Sequence, residues 1–513
     1  MGNKNIKHKN SVKISKSQML EEVEEEFFDD NIPVKKKTKT NIIGLEHNPL
    51  ISQVKSCPFE DYTIIKELGT GTFSTVHLVK HKTTGAVRAM KAIKKDTENK
   101  EYNELEIINE INILMKMDHP NIVKIFEFYN SPTHFYLITE YCEGGSLFDL
   151  INKNKPFTEI QASYIMHQLF SVVNYCHKMK IIHRDLKPEN ILVNKNENGF
   201  IKIKICDFGT SLCFKRGEIQ NEIVGSIYYI APEVLKKRYN SKCDMWSCGV
   251  IMYILLTACP PFGGNSNSQI IEGILSRDYD KKKLKRKCNE CIDLIDKLLE
   301  KDISKRIRAD AALKHKWFEI YKSKEIRVDI EDPKIIERYI TNLKNYKKSS
   351  QIQELALAYL VHNHPELEEV DNACKLFSMI DKKGNGKITK EELYKGLEHL
   401  YTDKKLKNVV NKIFENLDRN NSKYLENEEF IRAAIDKSIF LTKESLTLAF
   451  NYFDKEHKGE ITVDDFVSIF SGDVLSKNEI SKIRKMIKNI TSNHDEKIKL
   501  KEFCDIMKKF MAD

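Results

Sequence analysis

The stretch His183-Arg184-Asp185-Leu186-Lys187-Pro188-Glu189-Asn190 constrains this chain more than any other. Seventeen residues after its Asn comes Asp207-Phe208-Gly209. Moving a phosphoryl group calls for an aligned hydroxyl, metal held on phosphate oxygens and neutralised charge, with little covalent work for the protein. These loops hold a group for each task. Asp185 suits the substrate hydroxyl proton, and Asn190 and Asp207 carry oxygens of the kind Mg²⁺ takes. Lys187 is a mobile point cation that can reach the transferred phosphate. A chance match of both motifs in this order is the poorer reading.

Upstream, Leu68-Gly69-Thr70-Gly71-Thr72-Phe73-Ser74-Thr75-Val76 lies between strand-like runs. Gly69 and Gly71 let backbone N–H groups come close to phosphates. Ser74 stands where such loops have a third glycine, and its small side chain is tolerated. Ala89-Met90-Lys91 follows in a strand, and Lys91 is the candidate partner of the α- and β-phosphates. Glu110, nineteen residues on, falls in a helical pattern that puts Ile111, Leu114 and Met117 on one face, and is read as the ion-pair partner of Lys91. Tyr136 to Cys142 reads as a buried strand running into an adenine-binding hinge. Leu68, Gly69, Gly71, Val76, Ala89, Lys91, Glu140 and Cys142 are assigned to the nucleotide. Further on, Glu222 is read as a fixed charge for Arg184, and Arg306 as the partner of Glu233.

A 513-residue chain that is 41% hydrophobic can bury more than one core. Its net charge of +9 is spread over dispersed lysines, which favours a solvated surface over a nucleic-acid or membrane-binding face. No apolar run is long enough to span a bilayer, and no secretory segment follows Met1. Twelve scattered cysteines then read as reduced thiols in a cytoplasmic protein. Residues 1–57 alternate Lys-rich and acidic runs and read as disordered. Met1-Gly2 with Lys4, Lys7 and Lys9 would suit myristoylation and membrane contact, but Ile6 occupies the Ser/Thr position of that signal, and acylation of Gly2 stays open.

Residues 319–366 read as a basic amphipathic junction, with Ile335, Ile336, Ile340, Leu343, Tyr346, Ile352, Leu355 and Tyr359 near helical spacing. From 367 the chain repeats every 36–37 residues. Loops start at Asp381, Asp418, Asp454 and Thr491, with apolar Ile388, Leu425, Ile461 and Ile498 at loop position eight. This is the spacing of EF-hands, whose twelve-residue loop supplies oxygens at positions 1, 3, 5, 7, 9 and 12. Loop 418–429 has the fullest set, with Asp418, Asn420, Ser422, Tyr424 and Glu429, although Lys423 replaces the turn glycine. Loop 381–392 offers Asp381, Asn385, Lys387 and Glu392, with Lys383 at position three. Loop 454–465 offers Asp454, Glu456 and the short Asp465, with Lys458 at position five. Loop 491–502 opens on Thr491 and is read as mainly structural.

Together these features resemble a calcium-dependent protein kinase of the plant and apicomplexan type, over about residues 58–513. The resemblance implies an α+β bilobal protein kinase domain (58–318), an autoinhibitory junction (319–366) and an all-α calmodulin-like domain of four EF-hands (367–513). It implies ATP, Mg²⁺ and Ca²⁺ as cofactors, protein Ser/Thr hydroxyls as substrates, and a junction–EF-hand contact within a monomer. Asp185, Lys187, Lys91 and Glu110 would carry catalysis, with Asn190 and Asp207 on Mg²⁺. Two other readings stay open: an active kinase with a calcium-insensitive interaction module, and a calcium-sensing scaffold with an inactive kinase domain. Ser146, where many relatives carry Glu, leaves the preference for substrate arginine open.

Overall fold

The computed structural model describes residues 52–54, 57–71, 74–95, 100–153, 156–194, 201–215, 217–322, 333–347, 351–365, 367–398, 400–418, 422–454, 458–470 and 496–512, with scattered residues of 481–491. Most of the segment read as disordered, including Gly2, and the ligand candidates Asn420 and Glu456 lie outside these residues.

The first lobe is a six-stranded sheet in the order β1-β5-β6-β4-β3-β2. β2 (Tyr62–Thr70), β3 (Ser74–His81), β4 (Val87–Lys94), β5 (Ile125–Asn130) and β6 (His134–Glu140) pair antiparallel. β1 (Ser52–Val54) joins the β5 edge in parallel. This corrects the reading of 1–57 as wholly disordered. Three residues carry no alternation to detect, and what orders them is the row of unpaired N–H and C=O groups along β5. The sheet carries helix α1 (Lys100–Met115), whose Ile107, Ile111 and Leu114 are buried against it.

The second lobe is built on α2 (Glu159–Lys178) and α3 (Cys243–Thr257). A capping box between Thr158 and Gln161 starts α2 and satisfies orphan N–H groups at its first turn. Trp246 of α3 stacks on Phe262 at 5.6 Å, and the Arg306 guanidinium covers its ring at 5.1 Å. Arg306 and Glu233 form a buried two-pronged ion pair, the expected partnership. The last helix of this lobe, Lys316–Lys322, overruns the expected boundary at 318, because the Tyr321 hydroxyl reaches back to Glu159 (2.9 Å).

The junction forms two helices, α4 (Pro333–Asn345) and α5 (Gln351–Asn363). α4 is amphipathic as its spacing requires, with Ile336, Ile340 and Leu343 buried. α5 is buried nearly all round, including Ala356, Leu357, Leu360 and Val361, which the single-face reading left out. The EF-hand module covers both. Its elements include α6 (Glu368–Ile380), α7 (Asp403–Leu417), α8 (Asn427–Ala434), α9 (Lys443–Phe453) and α10 (Leu500–Ala512). Ile388 pairs with Leu425 and Ile461 with Ile498 across two short antiparallel ladders, all four fully buried. The loops therefore couple in pairs at position eight. Asn342 donates to the Ala434 carbonyl (2.8 Å), and Tyr359 stacks on Tyr452 at 4.1 Å.

The module also touches the kinase lobes directly. Arg88 of β4 donates to the Asn363 carbonyl, and His362 meets the Ile125 carbonyl (2.9 Å). Asp118 caps the start of α8 by accepting from the Glu428 N–H (2.9 Å) and the Asn427 amide (2.8 Å). Lys202 pairs with Asp371 of α6. Burial alone would raise the Asp371 carboxyl, but Lys202 and, after it, Lys375 (2.8 Å) more than offset it and hold it at about 2. A depressed acid contributes stability above its unfolded value and loses it as pH falls through the folded value. Asp371→Asn should therefore lower the melting temperature by a constant amount above pH 5, worth at most about 2 kcal/mol. The gap from wild type should close between pH 4 and pH 2. A gap independent of pH across that range, followed by calorimetry, would show that the pair contributes nothing.

Candidate active site and calcium loops

The catalytic loop is strained and held by one carboxylate. Arg184 has φ +70° and Asp207 has φ +62°, unusual for side-chain-bearing residues and costly by about 1–3 kcal/mol each. Asp244, buried in the first turn of α3, accepts the N–H groups of His183 and Arg184, both at 3.0 Å, and pairs with His177 (2.9 Å). Burial would raise the Asp244 carboxyl, but His177 and these N–H donors keep it ionised.

The loop's side chains converge. Asp185 Oδ2 accepts from Lys187 Nζ (2.6 Å) and Asn190 Nδ2 (3.3 Å), and Asp185 Oδ1 accepts from the Ser226 hydroxyl (2.8 Å). Lys187 also donates to Ser226 (2.8 Å). Sequence reading missed this bridge from the activation segment into the catalytic loop. The signal was Gly225-Ser226: Gly225 has φ +118°, and an added Cβ would sit 2.6 Å from the Arg184 carbonyl, so only glycine lets Ser226 approach.

Lys91 Nζ lies 3.1 Å from both Glu110 and Asp207. Burial would lower its pKa, but the two carboxylates outweigh that and raise it. Asp207 is held at about 2, chiefly by Lys91. Asp207 is thus ionised and faces the cleft between the lobes, and its donor chemistry, with that of Asn190, fits Mg²⁺. Phe208 is fully buried and packs on His183 at 4.8 Å. The Glu140 carboxylate turns away onto Lys204 (2.8 Å) and the Lys124 N–H (2.9 Å), so its backbone alone is left for a nucleotide. Cys142 is buried, Leu68 is exposed, and on the paired strands β3 and β4 Val76 lies opposite Lys91 and Ala89 opposite Leu78. Gly69 has open space where a Cβ would be. Ser146 exchanges hydrogen bonds with Asp149, whose carboxylate lies in the field felt by Glu189.

The EF loops differ in how far they fit Ca²⁺. In loop 418–429, Asp418 accepts from the Ser422 and Lys423 N–H groups, the turn that wraps an ion. The Ser422 hydroxyl lies 2.8 Å from the Tyr424 carbonyl, so two candidate ligands converge. Lys423 adopts φ +68°, where loops 381–392 and 454–465 have Gly386 (φ +72°) and Gly459 (φ +79°), at a cost of about 1 kcal/mol. Glu426 at position nine is diverted to Lys387 (3.4 Å). In loop 454–465, Asp465 caps the following helix by accepting from the Thr462 N–H (2.7 Å) and hydroxyl (2.6 Å). In loop 381–392, Lys383 Nζ lies on Glu392 (3.2 Å), and Asn385 accepts from the Lys387 N–H (3.1 Å). Burial pushes the Asp381 carboxyl up to about 6. Among the described residues no three His, Cys, Asp or Glu side chains gather as a ready metal cluster. EF loops draw part of their ligand set from hydroxyl, amide and backbone oxygens.

The protein kinase domain family model matches residues 62–318, and the EF-hand domain pair model matches 370–435, 407–471 and 443–508. The chain is 36% identical over 461 residues to calcium-dependent protein kinase 4 of Plasmodium berghei (strain Anka), covering 87% of this chain and 86% of that protein. It is 34% identical over 463 residues to calcium-dependent protein kinase 4 of Plasmodium falciparum (isolate 3D7), covering 88% and 87%. Calcium-dependent protein kinase 33 of Arabidopsis thaliana is 32% identical over 461 residues, covering 88% and 86%. The chain belongs to the calcium-dependent protein kinase family. It is an ATP-dependent Ser/Thr protein kinase with an EF-hand module.

In this kinase the activation segment is anchored without a phosphate. Arg184 donates to Glu222 (3.2 Å), to the Thr210 carbonyl (2.6 Å) and to the Tyr239 hydroxyl (3.4 Å). Glu222 is more than half exposed, so its share is small, and the two buried contacts hold most of the geometry. Phosphatase-treated kinase should keep its activity, and Glu222→Ala should lower kcat only about two- to fivefold, under ~1 kcal/mol. A hundredfold loss in Glu222→Ala, measured on a peptide substrate, would mean the anchor rests on that one ion pair.

Proposed function

We propose that this kinase transfers the γ-phosphoryl of ATP to protein Ser/Thr hydroxyls under calcium control, and that its own residues divide the work as follows. Asp185 accepts the substrate hydroxyl's hydrogen bond and takes up its proton as the oxygen attacks. The Ser226 hydroxyl and Lys187 keep both Asp185 oxygens aimed, and Lys187 offsets charge on the transferred group. Lys91, fixed by Glu110, holds the α- and β-phosphates. Asn190 and Asp207 would hold Mg²⁺, which neutralises charge on the phosphates when bound. Asp207→Asn should reduce turnover by at least a hundredfold while leaving the melting temperature within a few degrees. Comparable phosphorylation by that variant would sink the assignment.

The calcium switch rests on one observation above all. The junction helices α4 and α5 lie within the EF-hand module while Lys91 and Glu110 are paired. This supports reading the arrangement as the released, active one. With the module closed, the junction's Ile and Leu face would be free to rest on the kinase and oppose catalysis. An opened EF lobe exposes an apolar groove that takes that face, and tethering makes the exchange intramolecular. Calcium must favour the open form to shift it. Loop 418–429 has the fullest ligand set and is the best placed to supply that difference. Glu429→Gln should raise the calcium needed for half-maximal activity about tenfold or more, whereas Asp465→Asn should shift it less than twofold. Equal activity of the wild type in chelator and in saturating calcium would defeat the switch. A larger shift from Asp465→Asn than from Glu429→Gln would overturn the order of the loops.

A further inference from the structure

The first EF loop, 381–392, packs directly on the kinase helix α2. Asn174, buried on α2, donates to the carbonyls of Lys383 (2.8 Å) and Gly384 (3.1 Å). Gly384 has φ +52°, and a Cβ there would lie 2.7 Å from the Ser171 hydroxyl. Gly386 has φ +72°, and a Cβ there would lie 2.9 Å from the Tyr175 ring. Two glycines and two carbonyls of one loop thus read one turn of a kinase helix. Lys383 stands at an ion-binding position, but that position binds through its side chain and position seven alone through its carbonyl, so the contact uses no atom that calcium claims.

The ion-binding positions themselves are compromised. Position three, normally an oxygen, is Lys383, and its ammonium lies 3.2 Å from Glu392. The same Glu392 oxygen also accepts from the Thr389 hydroxyl (2.7 Å). Asp381 Oδ1 and Glu392 Oε1 are buried with no hydrogen-bond partner. Two such oxygens call for a cation. Lys383 already carries one to the Glu392 carboxylate, at its other oxygen, and has three N–H groups to share. Lys178, one turn on from Asn174, adds a second positive charge in the field of Asp381 and Glu392. A divalent ion would have to displace the first and tolerate the second.

We infer that loop 381–392 takes the Lys383 ammonium as its resident cation in place of Ca²⁺, and serves as a calcium-independent hook that fastens the EF-hand module to the kinase helix at Ser171, Asn174 and Tyr175. This deepens the proposed switch and rests on it, since it leaves the calcium response to the other loops. Ion number and module docking are both readable without activity.

The test counts calcium ions per full-length chain by equilibrium dialysis. Glu392→Gln should leave the number unchanged, and Lys383→Asp should raise it by one. Loss of one ion in Glu392→Gln would overturn the tethered-cation assignment, as would no gain in Lys383→Asp; Lys383→Asn, adding an oxygen with no new charge, repeats the measurement should the first variant fold poorly. For the hook, Asn174→Asp sets a carboxylate against the two carbonyls. In saturating calcium it should enlarge the radius of gyration measured by small-angle X-ray scattering while leaving the ion count at the wild-type number. An unchanged radius in both Asn174→Asp and Gly384→Ala would refute the hook. The proposed switch fails separately, on a wild-type enzyme equally active in chelator and calcium.

Discussion

A helix without a polar face has to be covered on both sides, and α5 is where that requirement joins the kinase to its EF-hand module. Ile352, Leu357, Leu360 and Val361 are all essentially inaccessible. All four belong to the core that the junction shares with the EF-hand module. One side of the helix meets α9 and α10 through contacts such as Tyr359 on Tyr452. Its C-terminal end meets the sheet through His362 and Asn363. Each buried apolar side chain of this size is worth about 1.5–3 kcal/mol. This burial fastens the junction into the EF-hand module, and the contacts of His362 and Asn363 carry the helix onto the kinase sheet. The polar contacts at Asp118, Lys202 and Asn174 fix the register of the contact.

That register bears on catalysis through geometry. Asp118 lies just beyond α1, the helix that carries Glu110, and its carboxylate caps α8 of the module. Arg88, also engaged by the junction, lies on β4 three residues before Lys91. The two ends of the Lys91–Glu110 pair are thus each tied, a few residues away, to the regulatory half of the chain. A displacement of the module would be felt at both ends of a salt bridge whose reach is about 3 Å. This is a physical route by which an ion-driven change far from the cleft can alter the cleft.

What was legible in the sequence follows the locality of the physics. Catalytic residues sit in short loops whose geometry is set by neighbours in the chain, so Asp185, Asn190 and Asp207 could be read by spacing. The EF pairing could be read from one apolar residue per loop, because a two-stranded ladder needs only one buried pair to set its register. What could not be read depended on distant partners. β1 has no pattern of its own, and the full burial of α5 reflects EF-hand helices that are distant in sequence. Glu140 was assigned to the nucleotide hinge as a residue, and the pairing of its carboxylate with Lys204, sixty-four residues on, had no local signal. The role of Ser226 was hidden because its partner Asp185 is brought near only by the left-handed Gly225.

Strain is distributed unevenly in this chain, and its distribution separates the two functions. In the catalytic loop the left-handed Arg184 is held by Asp244, a buried, ionised carboxylate donated to by two successive N–H groups and backed by His177. Charge-assisted bonds of this kind are worth about 1.5–3 kcal/mol each, enough to offset the backbone cost. The geometry for phosphoryl transfer is therefore preformed. In loop 418–429 the left-handed Lys423 is held by Asp418, the same carboxylate that an ion would claim. Its alkyl stem is exposed and adds no packing. The kinase site spends its strain on readiness, whereas the calcium loop leaves about 1 kcal/mol for the ion to recover, which weakens binding and shifts the response toward higher calcium.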